Sequence, residues 1–369
     1  DKTKVMVFRK GGYLAKDEVW FLGGQKLEVV NNYTYLGYTF TTMLSANQAV
    51  SRLALKGKKA AFNCIRALRK FSDISKSCFF KLFDIQIQPI MMYGAEVWGA
   101  HHVESVEKVH TMVCKRFLNV PLRTPNKLVY GELGRYPLFI NSCVRTVKYW
   151  LRILAMNDER LPKQAYKMLL KVDENAKQCW VTRLKTILCN LGFNEVWNQQ
   201  SVGHERAFLV TLKERLIAQY NIDWWNAINS SDRFNVYFSF KTILCAEQYF
   251  EWVSVKCFRD ALVKLRLGVL PINVNKFRFS DNDNAKICQC CNRKVVEDEY
   301  HFVCICPLYA EYRFKYFGQY WCSRDQMLRM LYCDSQTQTA SFAAYIFYAF
   351  KKRQQYCLNA LDYPSIEFA

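Results

Sequence analysis

The spacing of apolar residues changes once along this chain, and that change constrains the fold more than any other feature. Before residue 45, runs of aromatic and β-branched residues such as Tyr33 to Phe40 are separated by glycine and asparagine pairs. This pattern is typical of short strands and turns. From about Ala46, apolar residues recur every three or four positions, as they do between Leu53 and Phe71, which is typical of helices. The sequence predicts a mainly α protein with a small β region at its N-terminal end.

The positions of proline, glycine and cysteine divide the chain into five predicted segments. They are residues 1–45, a β-rich start; 46–120, a basic helical region; 121–280, a helical connector; 281–317, a cysteine-rich knuckle; and 318–369, a helical tail. Tryptophan and tyrosine are scattered through the connector, and we expect most of these tryptophans to lie in its core. A chain of 369 residues is long enough for two or three domains.

The charge of the chain points to a polyanionic partner. The sequence has 52 Lys and Arg against 32 Asp and Glu, a net charge of +20, and such an excess is typical of nucleic-acid-binding proteins. Residues 1–71 hold 13 basic and 4 acidic side chains, nearly half of the excess. We predict that the basic helical region contacts nucleic-acid phosphates. The predicted contacts are Lys56, Lys58, Lys59, Arg66 and Arg69. The alternative is an ordinary solvated helix face.

Neither a membrane span nor a secretory signal is predicted. The apolar run from Phe342 to Phe350 is too short to cross a bilayer and is followed by Lys351. The chain begins at Asp1, with no apolar signal segment and no Met, so we expect it to have been cut from a longer protein. Its 16 cysteines are expected to be mostly reduced thiols. The predicted location is intracellular, both cytoplasmic and nuclear.

One short segment has the ligand types and spacing of a zinc site. Its pattern is C-x2-C-x9-H-x4-C, and the four predicted ligands are Cys288, Cys291, His301 and Cys306. Two cysteines three positions apart on a tight turn can direct both sulfurs at one tetrahedral ion, so a closed, structural zinc site is predicted. Cys290 and Cys304 offer competing registers, that is, alternative ligand sets in which one of them replaces a predicted cysteine ligand. A cysteine-rich loop with a buried histidine, without metal, is the plainer alternative.

The side chains around this segment favour nucleic acid as its partner. Arg293 and Lys294 lie between the two predicted ligand pairs and are predicted to contact phosphates. Tyr300 or Phe302 is the candidate for stacking on a base. The knuckle would then hold RNA or DNA by its phosphates and by one aromatic side chain.

The sequence carries no recognisable catalytic motif. It has no Asp-Asp pair, no phosphate-binding P-loop, no nucleophile elbow and no HExxH. An enzyme built on scattered acids such as Asp84, Glu96 and Glu132 is a weaker interpretation. We therefore predict no catalytic residues and no enzymatic activity for this chain alone.

Four stretches, in order, resemble the distal part of a non-LTR retrotransposon reverse transcriptase of the LINE, jockey-like type. They are the K-T-K-V-M-V-F of residues 2–8, the Y-L-G-Y-T-F of 35–40, the P-I-M-M-Y-G-A-E-V-W of 89–98, and the Cys/His pattern of 288–306 followed by Pro307. In that family the first resembles the strand after the catalytic palm strands. The second resembles the primer-grip hairpin, the third a helix beyond the thumb, and the fourth the C-terminal CCHC knuckle.

The resemblance implies a role for each predicted segment. Residues 1–45 would be the end of the polymerase palm, with Tyr35, Leu36 and Gly37 in a primer-grip-like hairpin, and residues 46–120 would be the thumb. The implied partners are RNA, an RNA/DNA duplex and the N-terminal remainder of the reverse transcriptase. The family's metal-binding aspartate pair would precede Asp1, so the parent, rather than this chain, would be the RNA-directed DNA polymerase. The alternative is a degenerate or repurposed remnant with no dedicated nucleic-acid ligand.

Overall fold

The computed structural model describes residues 3–8, 18–43, 45–71, 73–100, 104–175, 178–230 and 234–362. Lys2, in the first of the four resembling stretches, lies outside them. The described residues are mainly helical with a few short strands, which confirms the predicted fold class. The origin of the strands in a polymerase palm stays a prediction. None of the helices in these ranges combines the length and the apolar character that crossing a bilayer requires.

The described strands form three separate two-stranded sheets near the start of the chain. β1 (Lys4–Val5) pairs in parallel with β4 (Glu28–Val29), β2 (Phe21–Leu22) pairs antiparallel with β3 (Gln25–Lys26), and β5 (Asn32–Tyr35) pairs antiparallel with β6 (Tyr38–Thr41). Only the last pair is longer than two residues per strand.

Helices account for most of the remaining chain. The α-helices in the first half of the described chain are α1 (Asn47–Leu68), α2 (Lys76–Leu82), α3 (Gln88–Met91), α4 (Ala95–Trp98), α5 (Glu104–Phe117), α6 (Asn126–Leu133), α7 (Leu138–Leu154), α8 (Leu161–Glu174) and α9 (Trp180–Asn190). The later ones are α10 (Asn194–Gln199), α11 (Glu205–Asn229), α12 (Asn235–Phe238), α13 (Tyr249–Trp252), α14 (Lys256–Arg266), α15 (Asn273–Lys276), α16 (Ala310–Phe317), α17 (Arg324–Tyr332) and α18 (Gln336–Asp362). The described residues also include two π-helical turns, Phe83–Ile87 and His301–Ile305, and the 3₁₀ turns Asp283–Lys286 and Pro307–Tyr309.

The chain divides into two compact units, each made of two stretches of sequence. Unit 1 comprises Asp1–His110 and Tyr136–Gln219, and unit 2 comprises Thr111–Arg135 and Tyr220–Ala369. The boundaries of the five predicted segments stay predictions. Each unit has a core of its own.

In unit 1, the core forms where α1 packs closely on α3. A Cβ atom at Gly57 would lie 2.2 Å from Cγ of Met91, so only glycine permits this approach of the two helices. Further along, Trp150 is fully buried, donates its indole N–H to the Tyr166 hydroxyl at 3.0 Å and stacks on Trp197. The expected core position of these two connector tryptophans is confirmed.

In unit 2, the core is organised by α18, which packs against α13, α14, α16 and α17. Trp224 is buried here and donates its indole N–H to the Lys127 carbonyl at 2.8 Å, whereas Trp225 is 42% exposed. Most of the tryptophans named above are therefore core residues, as expected, and Trp225 is an exception.

A buried polar network lies inside unit 2. Glu132 has no exposed surface, and its carboxylate accepts hydrogen bonds from the hydroxyls of Tyr249 (2.5 Å) and Tyr237 (3.0 Å) and from Nε of Arg266 (2.6 Å). Burial raises the pKa of both tyrosines well above the usual value, so they remain neutral donors. Glu132 is thus held inside the core, which removes it from the acids that could reach a substrate.

Candidate metal centre and nucleic-acid surfaces

A short reversal of the chain presents the first pair of predicted ligands. The backbone N–H of Cys288 donates to the Val295 carbonyl at 2.8 Å, and the N–H of Glu297 donates to the Lys286 carbonyl at 2.8 Å. Between these two bonds the chain turns back, with Lys294 in the left-handed region at φ +50°. The tight turn places the sulfurs of Cys288 and Cys291 on the same side.

The second pair comes from one wide helical turn. Residues His301–Ile305 are π-helical, and the N–H of Cys306 donates to the His301 carbonyl at 2.8 Å, five residues back. The Asp298 carboxylate accepts the N–H of His301 at 2.7 Å and so fixes the start of the turn. The wider π turn brings the imidazole and the following cysteine towards one point, which is a common use of such turns at functional sites.

The structure brings all four predicted ligands together. One ligand atom from each of Cys288, Cys291, His301 and Cys306 lies within 4.8 Å of the others, and Cys291 Sγ is 3.5 Å from His301 Nε2. With a Zn–S bond of about 2.3 Å and a Zn–N bond of about 2.0 Å, a tetrahedral site has S–N edges of about 3.5 Å and S–S edges of about 3.8 Å. The one distance of 3.5 Å matches such an S–N edge, and these four residues, called the Cys/His cluster below, lie close enough together to bind one metal ion.

Hydrogen bonds between sulfurs set the electrostatics of the Cys/His cluster. The thiols of Cys290 and Cys306 donate to Cys288, which lowers the pKa of Cys288 far below the usual thiol value. The same bond to Cys288, together with burial, raises the pKa of Cys306. Burial also raises the pKa of Cys291. The lowered pKa favours the thiolate form of Cys288, the form in which cysteine binds metal.

The first competing register involves Cys290. Cys288, Cys290 and Glu297 also place their ligand atoms within 4.8 Å of one another. The Glu297 carboxylate, however, already accepts two hydrogen bonds from Arg353, each of 2.6 Å, and the N–H of Asn273 at 2.8 Å. A metal ion there would have to displace a buried arginine, so the Cys/His cluster is the better site.

The second competing register, through Cys304, is also disfavoured. Cys304 is fully buried and its thiol hydrogen-bonds to Cys322, a contact that lowers the pKa of Cys322 to about 7. Cys304 is not among the residues that the structure gathers in either candidate metal group within the described ranges.

The candidate metal centre is built into the helical core of unit 2. Phe302 has no exposed surface and packs edge-on against Tyr309 at 5.0 Å between ring centres, while the Tyr345 hydroxyl donates to the Val303 carbonyl at 2.7 Å. Phe302 is therefore a core residue, and the expectation that it could stack on a base is wrong. Tyr300 is half-buried.

A buried arginine also lies beside the Cys/His cluster. Arg313 is 1% exposed, and its guanidinium donates to the carbonyls of Cys306 and Tyr320, both at 2.6 Å. Within the described ranges no carboxylate forms an ion pair with it. Together with the hydrogen bond from Cys304, the charge of Arg313 lowers the pKa of the Cys322 thiol, so the arginine acts on a cysteine as well as on these carbonyls.

On its outer side, the knuckle carries exposed cations and an aromatic side chain that the sequence pattern did not reveal. Arg293 and Lys294 are both exposed. The guanidinium of Arg293 lies over the ring of Trp321, 5.3 Å from its centre, and Trp321 is 60% exposed. Trp321 is 15 positions beyond Cys306, in the loop between α16 and α17, so only the fold shows that it adjoins the knuckle.

The predicted primer-grip-like residues form a two-residue hairpin turn in unit 1. Tyr35 pairs with Tyr38, and Leu36 and Gly37 occupy the turn with φ of +48° and +86°. Positive φ at both positions is the signature of a type I′ turn, whose twist suits a hairpin. Tyr35 and Leu36 are 60% and 73% exposed, so the tip of the hairpin is open to a ligand.

The predicted phosphate contacts lie on the exposed surface of α1 and at the residue that follows it. The buried residues of this helix are small or aliphatic and include Val50, Leu53, Ala54 and Ala61. At about 100° per residue, the five cations spread over roughly 160° of the helix circumference, and all five are exposed: Lys56, Lys58, Lys59, Arg66 and Arg69. Nothing in the described ranges forms an ion pair with any of them. We call this surface the basic face of α1.

Arg52 points elsewhere. Its guanidinium donates to the hydroxyls of Thr34 (3.1 Å) and Thr39 (3.2 Å), and so ties α1 to the β5–β6 hairpin. The basic face and the hairpin tip are thus parts of one structure within unit 1.

Comparison with known proteins gives no relative for this chain. No protein-family model matches it, and neither a curated protein nor a solved structure matches. A function for this chain must therefore be argued from the chemistry of the Cys/His cluster and of the two basic surfaces.

Proposed function

We propose that this chain binds nucleic acid and that a structural zinc ion in the Cys/His cluster holds its C-terminal knuckle in shape. The observation that carries the proposal is the convergence of Cys288, Cys291, His301 and Cys306, with one ligand atom of each within 4.8 Å of the others, beside exposed cations. Three sulfurs and one imidazole are ligands that zinc favours, and four protein ligands leave no open position for catalysis.

The charge balance supports zinc at this position. A Zn²⁺ ion bound by three thiolates and a neutral imidazole carries a net charge of −1. Arg313, buried beside the Cys306 backbone, supplies the compensating positive charge. A zinc–thiolate site here would thus be balanced in charge by a neighbouring buried cation.

Two exposed surfaces would contact the nucleic acid. The basic face of α1 presents five exposed cations to backbone phosphates, where each contact releases condensed counterions. At the knuckle, Arg293 and Lys294 supply charge, and Trp321 supplies an exposed ring on which an unpaired base can stack.

The proposal extends to the parent protein, as the distal part of a non-LTR retrotransposon reverse transcriptase. The order of the four resembling stretches supports it, as does the contact of the hairpin with the third stretch through Tyr93. The ligands would be RNA and an RNA/DNA duplex, with Tyr35, Leu36 and Gly37 supporting the primer end. The N-terminal remainder of the reverse transcriptase would supply the catalytic aspartates, and we assign no catalytic residue to this chain.

The test measures zinc and nucleic acid on the same purified chain. Elemental analysis should give one zinc per chain. Fluorescence anisotropy with single-stranded RNA and with an RNA/DNA duplex should show affinity falling by about 10³-fold or more between about 50 and 200 mM salt, as expected for six or more phosphate contacts. Changing Lys58, Lys59, Arg66 and Arg69 together to Gln should flatten this dependence.

The opposite results would identify the alternatives. Weak binding at every salt concentration would favour a repurposed remnant of the element. Unchanged affinity of the fourfold variant would show that the basic face of α1 does not contact the ligand. Extension of a primer by this chain with nucleotides and Mg²⁺ would contradict the assignment of catalysis to the remainder of the protein.

A further inference from the structure

A small cleft in unit 2 is lined by cations that neither the Cys/His cluster nor the basic face of α1 includes. Its volume is about 200 Å³, and its lining includes Arg123, Thr124, Lys276, Arg278 and Phe279. One wall is the turn before α6, and the other is the segment that follows α14. All of these residues belong to unit 2.

The shape of one wall depends on the end of α14. Gly268, at φ +59°, donates its N–H to the Leu265 carbonyl at 3.0 Å, and Val269 donates to the Lys264 carbonyl at 2.9 Å. This pair of bonds is a Schellman motif, which requires the left-handed conformation that glycine adopts readily. The Gly268 carbonyl then accepts a hydrogen bond of 2.9 Å from Arg278. The motif therefore fixes the arginine at the cleft.

The side chains that line the cleft carry only positive charge, although Glu299, beside it, accepts a hydrogen bond of 2.8 Å from Asn275. Three of its lining residues are cations and none is acidic. Arg278 is anchored by Gly268 and Asn275, whereas Arg123 and Lys276 are exposed, and no acid of the described ranges forms an ion pair with either. Such a site fits an anion with several acceptor oxygens.

A second, independent feature of the cleft is an unsatisfied hydroxyl. Thr124 is 1% exposed, and its Oγ1 has no hydrogen-bond partner in the described part of the protein. A buried donor without an acceptor is uncommon and costs free energy. Because Oγ1 is itself buried, the Thr124 side chain must rotate to reach a phosphate oxygen bound in the cleft that it lines, and that oxygen would then supply the missing acceptor.

The rim of the cleft carries a strongly exposed aromatic ring. Phe279 is 85% exposed, although a phenylalanine in a helical unit is normally buried. An exposed ring beside a phosphate-sized cationic cleft is the arrangement on which single-stranded nucleic acids stack their bases.

We infer that this cleft binds one nucleotide unit of a single strand. Arg123, Lys276 and Arg278 surround its phosphate, the Thr124 hydroxyl donates to a phosphate oxygen, and Phe279 stacks on its base. This inference rests on the proposed nucleic-acid-binding function and adds a position for single-stranded nucleic acid that is separate from the knuckle.

The test uses the full zinc-loaded chain with a labelled 12-nucleotide oligouridylate across a salt series. Arg123→Gln/Lys276→Gln should lower the salt slope by about 1.4, since each lost contact to a single strand removes about 0.7. Lys171→Gln/Lys213→Gln, which removes two exposed charges outside the cleft, should keep the wild-type slope. Phe279→Ala should weaken binding by about 5- to 150-fold with the slope unchanged.

Thr124→Val separates ligand binding from folding. The substitution removes an unsatisfied buried hydroxyl and keeps the shape of the side chain, so the unfolding temperature of the free chain should stay equal or rise. The affinity for oligouridylate should fall. A loss of affinity with a lower unfolding temperature would instead indicate a purely structural residue and would contradict the role given to this hydroxyl.

Uridine 5′-monophosphate, with uridine as its control, distinguishes failure of the cleft from failure of the proposed function. Wild-type affinity and slope in both the double variant and Phe279→Ala would overturn the cleft and leave the proposed function intact. If the wild type bound no oligouridylate but was stabilised by the monophosphate through Arg123 and Lys276, the cleft would stand as a mononucleotide site and the proposed function would fall. Neither binding nor stabilisation would overturn both.

Discussion

The Tyr93 hydroxyl donates a hydrogen bond of 2.9 Å to the Leu36 carbonyl, although the two residues are 57 positions apart in the chain. Leu36 is the tip of the β5–β6 hairpin, and Tyr93 follows α3. Next to Tyr93, Gly94 adopts φ +71°, and a Cβ there would lie 3.6 Å from the ring of Tyr38. The hairpin is therefore docked on the segment after α3 by one hydrogen bond and by the ring of Tyr38.

Replacing Tyr93 by Phe tests this docking. The variant loses one partly exposed hydrogen bond and should lower the free energy of unfolding by about 0.5–1.5 kcal/mol. Hydrogen exchange of the β5–β6 amides should accelerate by a similar free energy. Tyr35→Phe is the control, because its hydroxyl forms no hydrogen bond within the described ranges. Equal exchange rates in the two variants would show that Tyr93 does not hold the hairpin.

Patterns within short stretches of sequence were sufficient to predict the mainly α fold and the Cys/His cluster. The change of apolar period gave the mainly α fold, and the spacing of Cys288, Cys291, His301 and Cys306 gave the cluster that the structure assembles. Both are properties of short stretches, because a helix and a metal-ligand pair are formed by neighbours in sequence.

The missed features depend on contacts between distant residues. In the sequence, Phe302 simply follows a predicted zinc ligand and could equally be exposed. In the structure, Tyr309 and Phe350 of α18 pack against it and bury it. Cys304 forms a hydrogen bond with Cys322 instead of joining the cluster. Trp321 contacts Arg293 because α16 brings the following loop back to the knuckle. Such pairings are set by tertiary packing and leave no periodic signal in the sequence.

Substitution of single cysteines tests whether zinc binds the Cys/His cluster or the competing group of Cys288, Cys290 and Glu297. Cys291→Ala removes a ligand and should abolish stoichiometric zinc and lower the unfolding temperature, since the centre is built into the core of unit 2. Cys290→Ala should retain one zinc, because Glu297 in that register is engaged by Arg353. Elemental analysis of both proteins gives the answer. Loss of zinc from Cys290→Ala alone would identify the other register as the site.

The pKa shifts of the cysteines in the Cys/His cluster predict how many protons are released when zinc binds. Because the pKa of Cys288 is lowered, this thiolate has no proton to release at neutral pH, whereas Cys291 and Cys306, with raised pKa values, must each release one. Zinc binding should release about two protons from thiols, and zinc affinity should rise with pH and fall on acidification. Calorimetry in two buffers of different ionisation enthalpy measures the number. Release of three protons would contradict a preformed Cys288 thiolate.

The buried network of unit 2 predicts a large loss of stability from Glu132→Gln. The substitution removes one of the two carboxylate charges paired with the fully buried Arg266, while Glu247 remains 3.1 Å from its guanidinium, and it should cost about 1–3 kcal/mol in urea unfolding. Glu251→Gln, at an exposed position of α13, is the matched control and should change stability by less than about 0.5 kcal/mol. Similar stability of the two variants would show that Glu132 and Arg266 do not depend on each other.

Trp321 allows the contribution of the knuckle to nucleic-acid binding to be separated from that of the basic face of α1. If a base stacks on its ring, Trp321→Ala should weaken binding of single-stranded RNA by about 5- to 150-fold, with the salt slope unchanged because no charge is lost. Trp225→Ala is the control, since Trp225 is also an exposed tryptophan of unit 2 but packs on Phe238. A fully paired RNA/DNA duplex offers no free base, so its affinity should be unaffected by Trp321→Ala. An equal loss for duplex and single strand would mean that Trp321 supports the position of Arg293 rather than a base.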